Sequence, residues 1–454
     1  MTNDERVKGR VQSPKERINN FLEVELGYNS DEAKKEASRC LHCKNPRCVT
    51  GCPVNIRIPE FIHAILEDNL PLAYEIIKSS SSLPAVCGRV CPQERQCESM
   101  CIRGLKGEAI AIGALERYVA DYAIENNLNS VNKIKKNGKK IAIVGSGPSG
   151  LTCAGELAKN GFDVTIYEVL QKSGGVLTYG IPEFRLPKKI VESEVDNLIK
   201  LGVNIKTDVP VGNAITLDTL EKEYGAVFIG SGAGLPKFMG IEGENANGVF
   251  SANEILTRIN LMKAYKSDSK TPIKKSKIAY VIGGGNVAMD AVRSIRRLGS
   301  EAHLMYRRSE EELPARKMEV IHAKEEGVIF DTLLNPKRIL TDENNNVIGM
   351  EVVKMELLDK VEGQRREVRE IKGSEFEVKC DMVVMALGTS PNHGSLKGSK
   401  IEMTDNGLIV VDETKTSLKN VYAGGDAVTG SATVILAMEA GKKAAKEIIE
   451  LLIK

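Results

Sequence analysis

One short pattern occurs twice in this chain. Residues 145–168 read GSGPSGLTCAGELAKNGFDVTIYE, and residues 283–308 read GGGNVAMDAVRSIRRLGSEAHLMYRR. Each copy follows an apolar run, KIAIV before the first and KIAYVI before the second. An apolar run, a glycine turn and an amphipathic stretch make a strand, a tight turn and a helix. Further short β-runs, AVFIGSG and DMVVMALG, alternate with helical segments, as expected of parallel sheets with crossover helices. The expected fold class is therefore α/β. The two copies differ at the tip of their second strand, where the first ends in Glu168 and the second in Arg307 and Arg308.

The first copy spells Gly145-x-Gly147-x-x-Gly150. Such glycines let the backbone approach a pyrophosphate, and the helix that follows turns its unpaired N–H groups toward the phosphates. Pro148 and Ser149 lie in this turn. Glu168 stands 23 residues after Gly145, the spacing of a carboxylate that accepts hydrogen bonds from ribose hydroxyls. The second copy spells Gly283-x-Gly285-x-x-Ala288, with Asn286 and Val287 in the turn and Arg307 24 residues after Gly283. A carboxylate there would repel a 2′-phosphate, whereas guanidiniums offer it charge-assisted contacts. The first site thus reads as one for a dinucleotide with a free ribose, and the second as one for NADP(H). The glycine pair Gly174–Gly175, with Leu177 just after, and the late run GGDAVTG favour FAD over NAD at the first site. Asp426, after Gly425, is placed to reach the ribityl or pyrophosphate region. Gly232 in FIGSGAG and Thr433 are further FAD candidates, and Gly388 is expected where the two cofactors meet.

Eight of the ten cysteines fall between residues 40 and 101. They form the sets Cys40-x2-Cys43-x4-Cys48-x3-Cys52-Pro53 and Cys87-x3-Cys91-Pro92, Cys97-x3-Cys101. The N-terminus is charged without an apolar signal region, and no apolar run is long enough to span a bilayer, so a cytoplasmic location is expected. Disulfides are rare there, and clustered thiols then point to metal. The Cys-Pro endings resemble ferredoxin runs, which favours two 4Fe-4S clusters over zinc or unliganded thiols. Spacing alone leaves the division of ligands open. Cys153 and Cys380 read as structural thiols, and His42 as solvent-facing. No catalytic triad is expected, since hydride transfer is done by the cofactors. The net charge of +2 gives no reason to expect nucleic acid or membrane partners. The basic run KIKKNGKK (133–140) reads as a solvated linker.

The stretches RCLHCKNPRCVTGCPVNIRIPEFI, LPAVCGRVCPQERQCESMC, GGVLTYGIPEFRLPK and YRRSEEELPAR identify a family. Nearly the whole chain resembles the small (beta) subunit of NADPH-dependent glutamate synthase. The group includes the large subunit of NADH-dependent reduced ferredoxin:NADP+ oxidoreductase (Nfn), an electron-bifurcating transhydrogenase. The N-terminal electron-transfer part of dihydropyrimidine dehydrogenase is also similar. The resemblance implies a helical iron–sulfur domain over residues 1–130 and two Rossmann-like dinucleotide-binding domains. The FAD domain, 139–270 and 391–454, is expected to be interrupted by an NADPH domain over 271–390.

The resemblance further implies that Cys40, Cys43, Cys48 and Cys101 hold one cluster. Cys52, Cys91 and Cys97 would hold the other, completed by Glu116, with Cys87 the competing candidate. Hydride exchange between NADP(H) and FAD would feed single electrons through the clusters to another subunit. GGGNVAMDA and GAGLPKFMGIEGEN look more like the Nfn branch, which implies bifurcation, with a small flavoprotein subunit and ferredoxin as partners. The alternatives are the NADPH-oxidising subunit of glutamate synthase, partnered by the large subunit, and a sulfide dehydrogenase-like subunit. Each implies a hetero-oligomer.

Overall fold

The computed structural model describes residues 5–128, 134–361 and 363–453. Lys133, which opens the basic run, and residues 1–4 and 129–130 of the expected first domain lie outside them. Two parallel five-stranded sheets organise the chain. In the first, the order is Val421–Ala423, Ala226–Ile229, Lys140–Val144, Asp163–Tyr167 and Asn204–Lys206. In the second it is Ile329–Thr332, Glu301–Tyr306, Ile278–Ile282, Met382–Met385 and Val249–Ser251. The central strands are apolar on both faces, as a sheet covered on both sides requires. In each sheet the glycine turn follows a central strand and opens the first crossover helix, Pro148–Lys159 in one and Asn286–Arg297 in the other.

One boundary differs from expectation. The first lobe was expected to run to residue 270. Instead, strand Val249–Ser251 pairs with Met382–Met385, and helix Ala252–Asn260 contributes Ile255, Leu256 and Ile259 to the second lobe's core. The chain therefore passes to the second lobe soon after residue 236. It returns at residue 389, and the outgoing strand Leu235–Pro236 pairs antiparallel with the returning strand Thr389–Ser390. The charged segment after residue 333 forms a four-stranded antiparallel sheet, from Leu334–Thr341 to Phe376–Lys379, that covers the other face of the second sheet.

The N-terminal region is helical. Helix Ser30–Ala37 starts with a capping box of Asn29 and Glu32. Helices Ile58–Leu66, Leu70–Lys78, Pro84–Val90 and Ile112–Glu125 bury their apolar faces together. They do not form a detached bead, because one hydrophobic core runs from Phe61 and Leu115 into Leu151, Leu157 and Met438 of the first lobe. Lys442 of helix Val434–Leu452 reinforces this contact by donating to the carbonyls of Val54 and Ser80.

A buried ionic network ties three regions together. Arg17 from the N-terminal arm, Arg293 and Arg297 all converge on Glu326. Arg185 of the first lobe pairs with Asp290 at 2.7 Å and Glu319 at 3.1 Å in the second. Phe184 lies against the guanidiniums of Arg293 and Arg297, 4.7 and 3.9 Å from its ring centre. Among the described residues no helix is long and apolar enough to cross a membrane.

Candidate functional site: two crevices and two thiol clusters

The first crevice lies beyond the carboxyl ends of the first sheet, where ligands bind in open parallel sheets. Gly145 and Gly150 set its floor, and a Cβ on Gly150 would sit 2.0 Å from the Gly145 carbonyl oxygen. Gly147 is different, since a Cβ there meets nothing within 4 Å and would point into the crevice. Gly175 turns back against Gly147, and the Gly174 N–H donates to the Ser146 carbonyl at 3.2 Å. Gly425 adopts φ +71° with Ser149 directly beneath it, and Asp426 and Thr433 follow on the same side. Pro148 and Ser149 are buried in the first turn of their helix, while Gly232 faces open space.

Three of the expected contacts take a different form. Glu168 is buried, and its carboxylate already accepts from the Ser146 N–H at 2.9 Å, the Ser146 hydroxyl and the Leu170 N–H at 2.8 Å. It braces the glycine turn. Leu177 is fully buried, because helix Val176–Tyr179 turns it into the core, so its side chain does not line the crevice. Asp426 is held by the Ala432 N–H at 3.2 Å, while burial pushes its pKa up.

Sequence reasoning passed over Ser146 and Tyr179. Ser146 occupies a variable position of the fingerprint. Burial pushes the Tyr179 hydroxyl up to about 12, and the Glu168 and Asp426 carboxylates add to the shift. The stretch GGVLTYGIPEF carried that signal.

The second crevice has the same construction. Gly283 packs against the Ala386 carbonyl, and Gly285, like Gly147, has nothing within 4 Å of its would-be Cβ. Val287 is exposed beside it. Asn286 accepts from the Arg316 N–H at 2.9 Å, so its side chain straps the turn to the YRRSEEELPAR segment. An aspartate would accept this bond equally well. The two strand-tip arginines diverge. Arg307 is exposed, but Arg308 is turned inward and its Nε donates to the Arg366 carbonyl at 2.6 Å. Gly388 reaches the mouth of the first crevice, because the neighbouring Thr389 hydroxyl bonds Ser431 at 2.7 Å and the Gly388 carbonyl accepts from Lys237.

The thiols separate into two groups. Cys40, Cys43, Cys48 and Cys101 line one pocket, walled by Leu41, Ile58, Ile62 and Ile102. All four are half-buried. Cys52, Cys91 and Cys97 are buried, and all three sense the nearby Glu116 carboxylate. Oε1 of Glu116 is buried with no hydrogen-bond partner, and burial pushes its pKa up to about 8. Burial likewise lifts Cys48 to about 12 and Cys52 to about 11. A cationic centre reverses such shifts by favouring the anions. Cys87 adjoins the same group, its thiol hydrogen-bonded to Cys91 and its Sγ 3.4 Å from the Met438 sulfur. Among the described residues no three such groups close around a single metal ion. Cys-rich groups around a wider space suit iron–sulfur clusters better than zinc.

Comparison with known proteins agrees with these features. Residues 17–128 match the family described as dihydropyrimidine dehydrogenase domain II, 4Fe-4S cluster. Residues 139–441 match the pyridine nucleotide-disulphide oxidoreductase family. The chain is 36% identical over 455 residues to the glutamate synthase (NADPH) small chain of Escherichia coli K12, covering 97% of this chain and 96% of that one. This chain belongs to the glutamate synthase small-chain family. Members of this wider group also include the NADP(+)-dependent formate dehydrogenase subunit beta of Moorella thermoacetica, 38% identical, matched over 88% of this chain and 59% of that one. Mycobacterium tuberculosis FprA in complex with NADPH shares the fold, with a TM-score of 0.59 over 69% of this chain and 84% of that one at 19% identity. As a small-chain family member, the protein is an NADP(H) oxidoreductase that uses FAD and 4Fe-4S iron–sulfur groups.

Proposed function

We propose that this chain is the NADPH-oxidising, electron-transferring subunit of a glutamate synthase-type complex. The observation that carries the reading is the order of the sites. Thr433 at the first crevice opens helix Val434–Leu452, whose Met438 touches Cys87 beside the buried thiols. The half-buried thiols then lie nearest the surface. The chain thus offers a graded route from a buried crevice to its exterior.

In this reading Gly145, Gly147, Pro148, Ser149, Gly150, Gly174, Gly175, Gly232, Gly425, Asp426 and Thr433 hold FAD, with Glu168 at its ribose. Gly283, Gly285, Asn286, Val287 and Arg307 hold NADP(H), and Gly388 lies where the two meet. Cys40, Cys43, Cys48 and Cys101 hold an outer 4Fe-4S cluster. Cys52, Cys91, Cys97 and Glu116 hold an inner one, since the buried Glu116 oxygen is unpartnered; Cys87, hydrogen-bonded to Cys91 and in contact with Met438, is the competing fourth ligand. When bound, FAD exchanges hydride with NADPH and the clusters carry electrons one at a time. The protein's own part is to bury the inner ligands, hold the two crevices in fixed relation through Arg185, Asp290 and Glu319, and leave the outer site close to a partner.

Alignment along almost the full length of the E. coli small chain supports the glutamate synthase assignment. Anaerobic purification from native cells tests it. A large glutaminase-bearing partner with NADPH-dependent glutamate formation is expected. A small flavoprotein partner, with ferredoxin reduction by NADPH that requires NAD+, would replace it with the bifurcating transhydrogenase.

A further inference from the structure

The tip of strand Glu301–Tyr306 carries more positive charge than its own two arginines. The segment 363–367, just before strand Val368–Glu370, lies against this tip. Two guanidinium-to-carbonyl hydrogen bonds fix it, from Arg308 Nε to Arg366 at 2.6 Å and from Arg366 Nε to Leu358 at 2.7 Å. The loop thereby delivers Arg365, whose Nη2 lies 3.5 Å from the Tyr306 hydroxyl. Tyr306 packs its ring over Gly284 of the glycine turn and donates to the Glu312 carbonyl at 3.1 Å. Arg365 therefore stands at the end of the strand, where Arg307 also emerges.

Both guanidiniums are exposed, and neither makes an ion pair among the described residues. Two neighbouring acids, Glu310 and Glu311, are committed elsewhere. Glu310 pairs with Lys324 at 2.5 Å and Glu311 accepts from the Ser309 hydroxyl at 2.9 Å. Glu312 turns a carboxylate oxygen into the interior. Two exposed guanidiniums without ion-pair partners at one strand tip favour an anion there.

We propose that Arg365 is a specificity-determining residue, clamping the 2′-phosphate of NADP(H) together with Arg307. Arg308 is a positioning residue that sets the loop carrying Arg365. This rests on the reading of the second crevice as the NADP(H) site. It reassigns one of the two strand-tip arginines and adds a residue more than 50 positions further along the chain.

The test uses the holoenzyme, oxidising NADPH or NADH with ferricyanide as acceptor. Arg365→Ala is expected to raise KM for NADPH about tenfold or more, the worth of a charge-assisted hydrogen bond, with kcat and the KM for NADH unchanged. Inhibition by 2′,5′-ADP should weaken in parallel and inhibition by 5′-AMP should not. Arg365→Lys should restore part of the loss. In an Arg308→Ala background the further change Arg365→Ala should have little effect, since the loop is already released. Equal losses with NADPH and NADH would overturn the proposal. So would an unchanged NADPH KM in Arg365→Ala while Arg307→Ala raises it, a result that leaves the NADP(H) site itself standing. An unmodified enzyme that does not distinguish NADPH from NADH would instead remove the reading of the second crevice, and the proposal with it.

Discussion

Replacing Glu326 with glutamine tests whether the buried network fixes the arm and the two lobes. The carboxylate of Glu326 receives five guanidinium hydrogen bonds. Arg293 Nε and Arg297 Nη1 donate to Oε2, and Arg17 Nε, Arg293 Nη2 and Arg297 Nη2 donate to Oε1, at 2.6 to 3.0 Å. The amide of Glu326→Gln keeps the volume but brings its own N–H donors against at least two of these guanidinium donors. It also leaves three buried cations short of one counter-charge. Removing one partner of a buried ion pair costs about 3–5 kcal/mol. A multi-lobed cofactor enzyme does not unfold in two states, so local opening is the better measure. Native-state amide exchange in Asn286–Arg297 and Lys317–Glu325 should accelerate roughly a hundredfold to several thousandfold. Residues near Arg17 should lose protection with them. A change below about fivefold, or one confined to residues 325–327, would refute the reasoning. The pH dependence has a definite sign. Glu319 is held down to about 2 by Arg185 and Arg293 against its burial, and Glu326 is held below the usual range by its guanidiniums. Their stabilisation is full above the unfolded carboxylate range near 4.5. It is lost as pH falls through that range toward 2.

Other outcomes follow from the sites themselves. Glu116→Ala should lower bound iron by roughly half and remove one of two cluster signals in electron paramagnetic resonance, whereas Cys87→Ser should keep both. Gly285→Ala has an allowed backbone, with φ −87°, and free space for its methyl. It should fold, keep its flavin, and raise KM for NADPH about tenfold by intruding on the ligand. Gly150→Ala places a methyl 2.0 Å from a carbonyl oxygen, so it should lower flavin content and thermal stability together. Retained flavin at wild-type stability would contradict the tight turn.

The parts legible in the sequence are those built from near neighbours in the chain. The glycine turns and their helices follow from spacing within about thirty residues, and the structure places them on central strands as that spacing requires. The cysteine runs were readable as metal-binding for the same reason. What escaped is set by distant partners. Strand Val249–Ser251 belongs to the second lobe because its backbone pairs with Met382–Met385, more than 130 residues later. Arg308 turns inward because the Arg366 carbonyl is there to receive it. The Arg17–Glu326 pair spans 309 residues, and no local pattern announces it. Leu177 shows a second kind of miss, since a motif names the residue but not the face of the short helix that carries it.

The paired strands Leu235–Pro236 and Thr389–Ser390 also bear on the history of the molecule. A segment whose two ends lie side by side can be added to a host fold without stretching it, and such insertions are the ones folds tolerate. The second lobe is in this sense a cassette. It is not a free one, because Arg17 and Arg185 remain in the host as buried cations. Any replacement lobe must supply carboxylates where Asp290, Glu319 and Glu326 now stand, or leave those charges stranded.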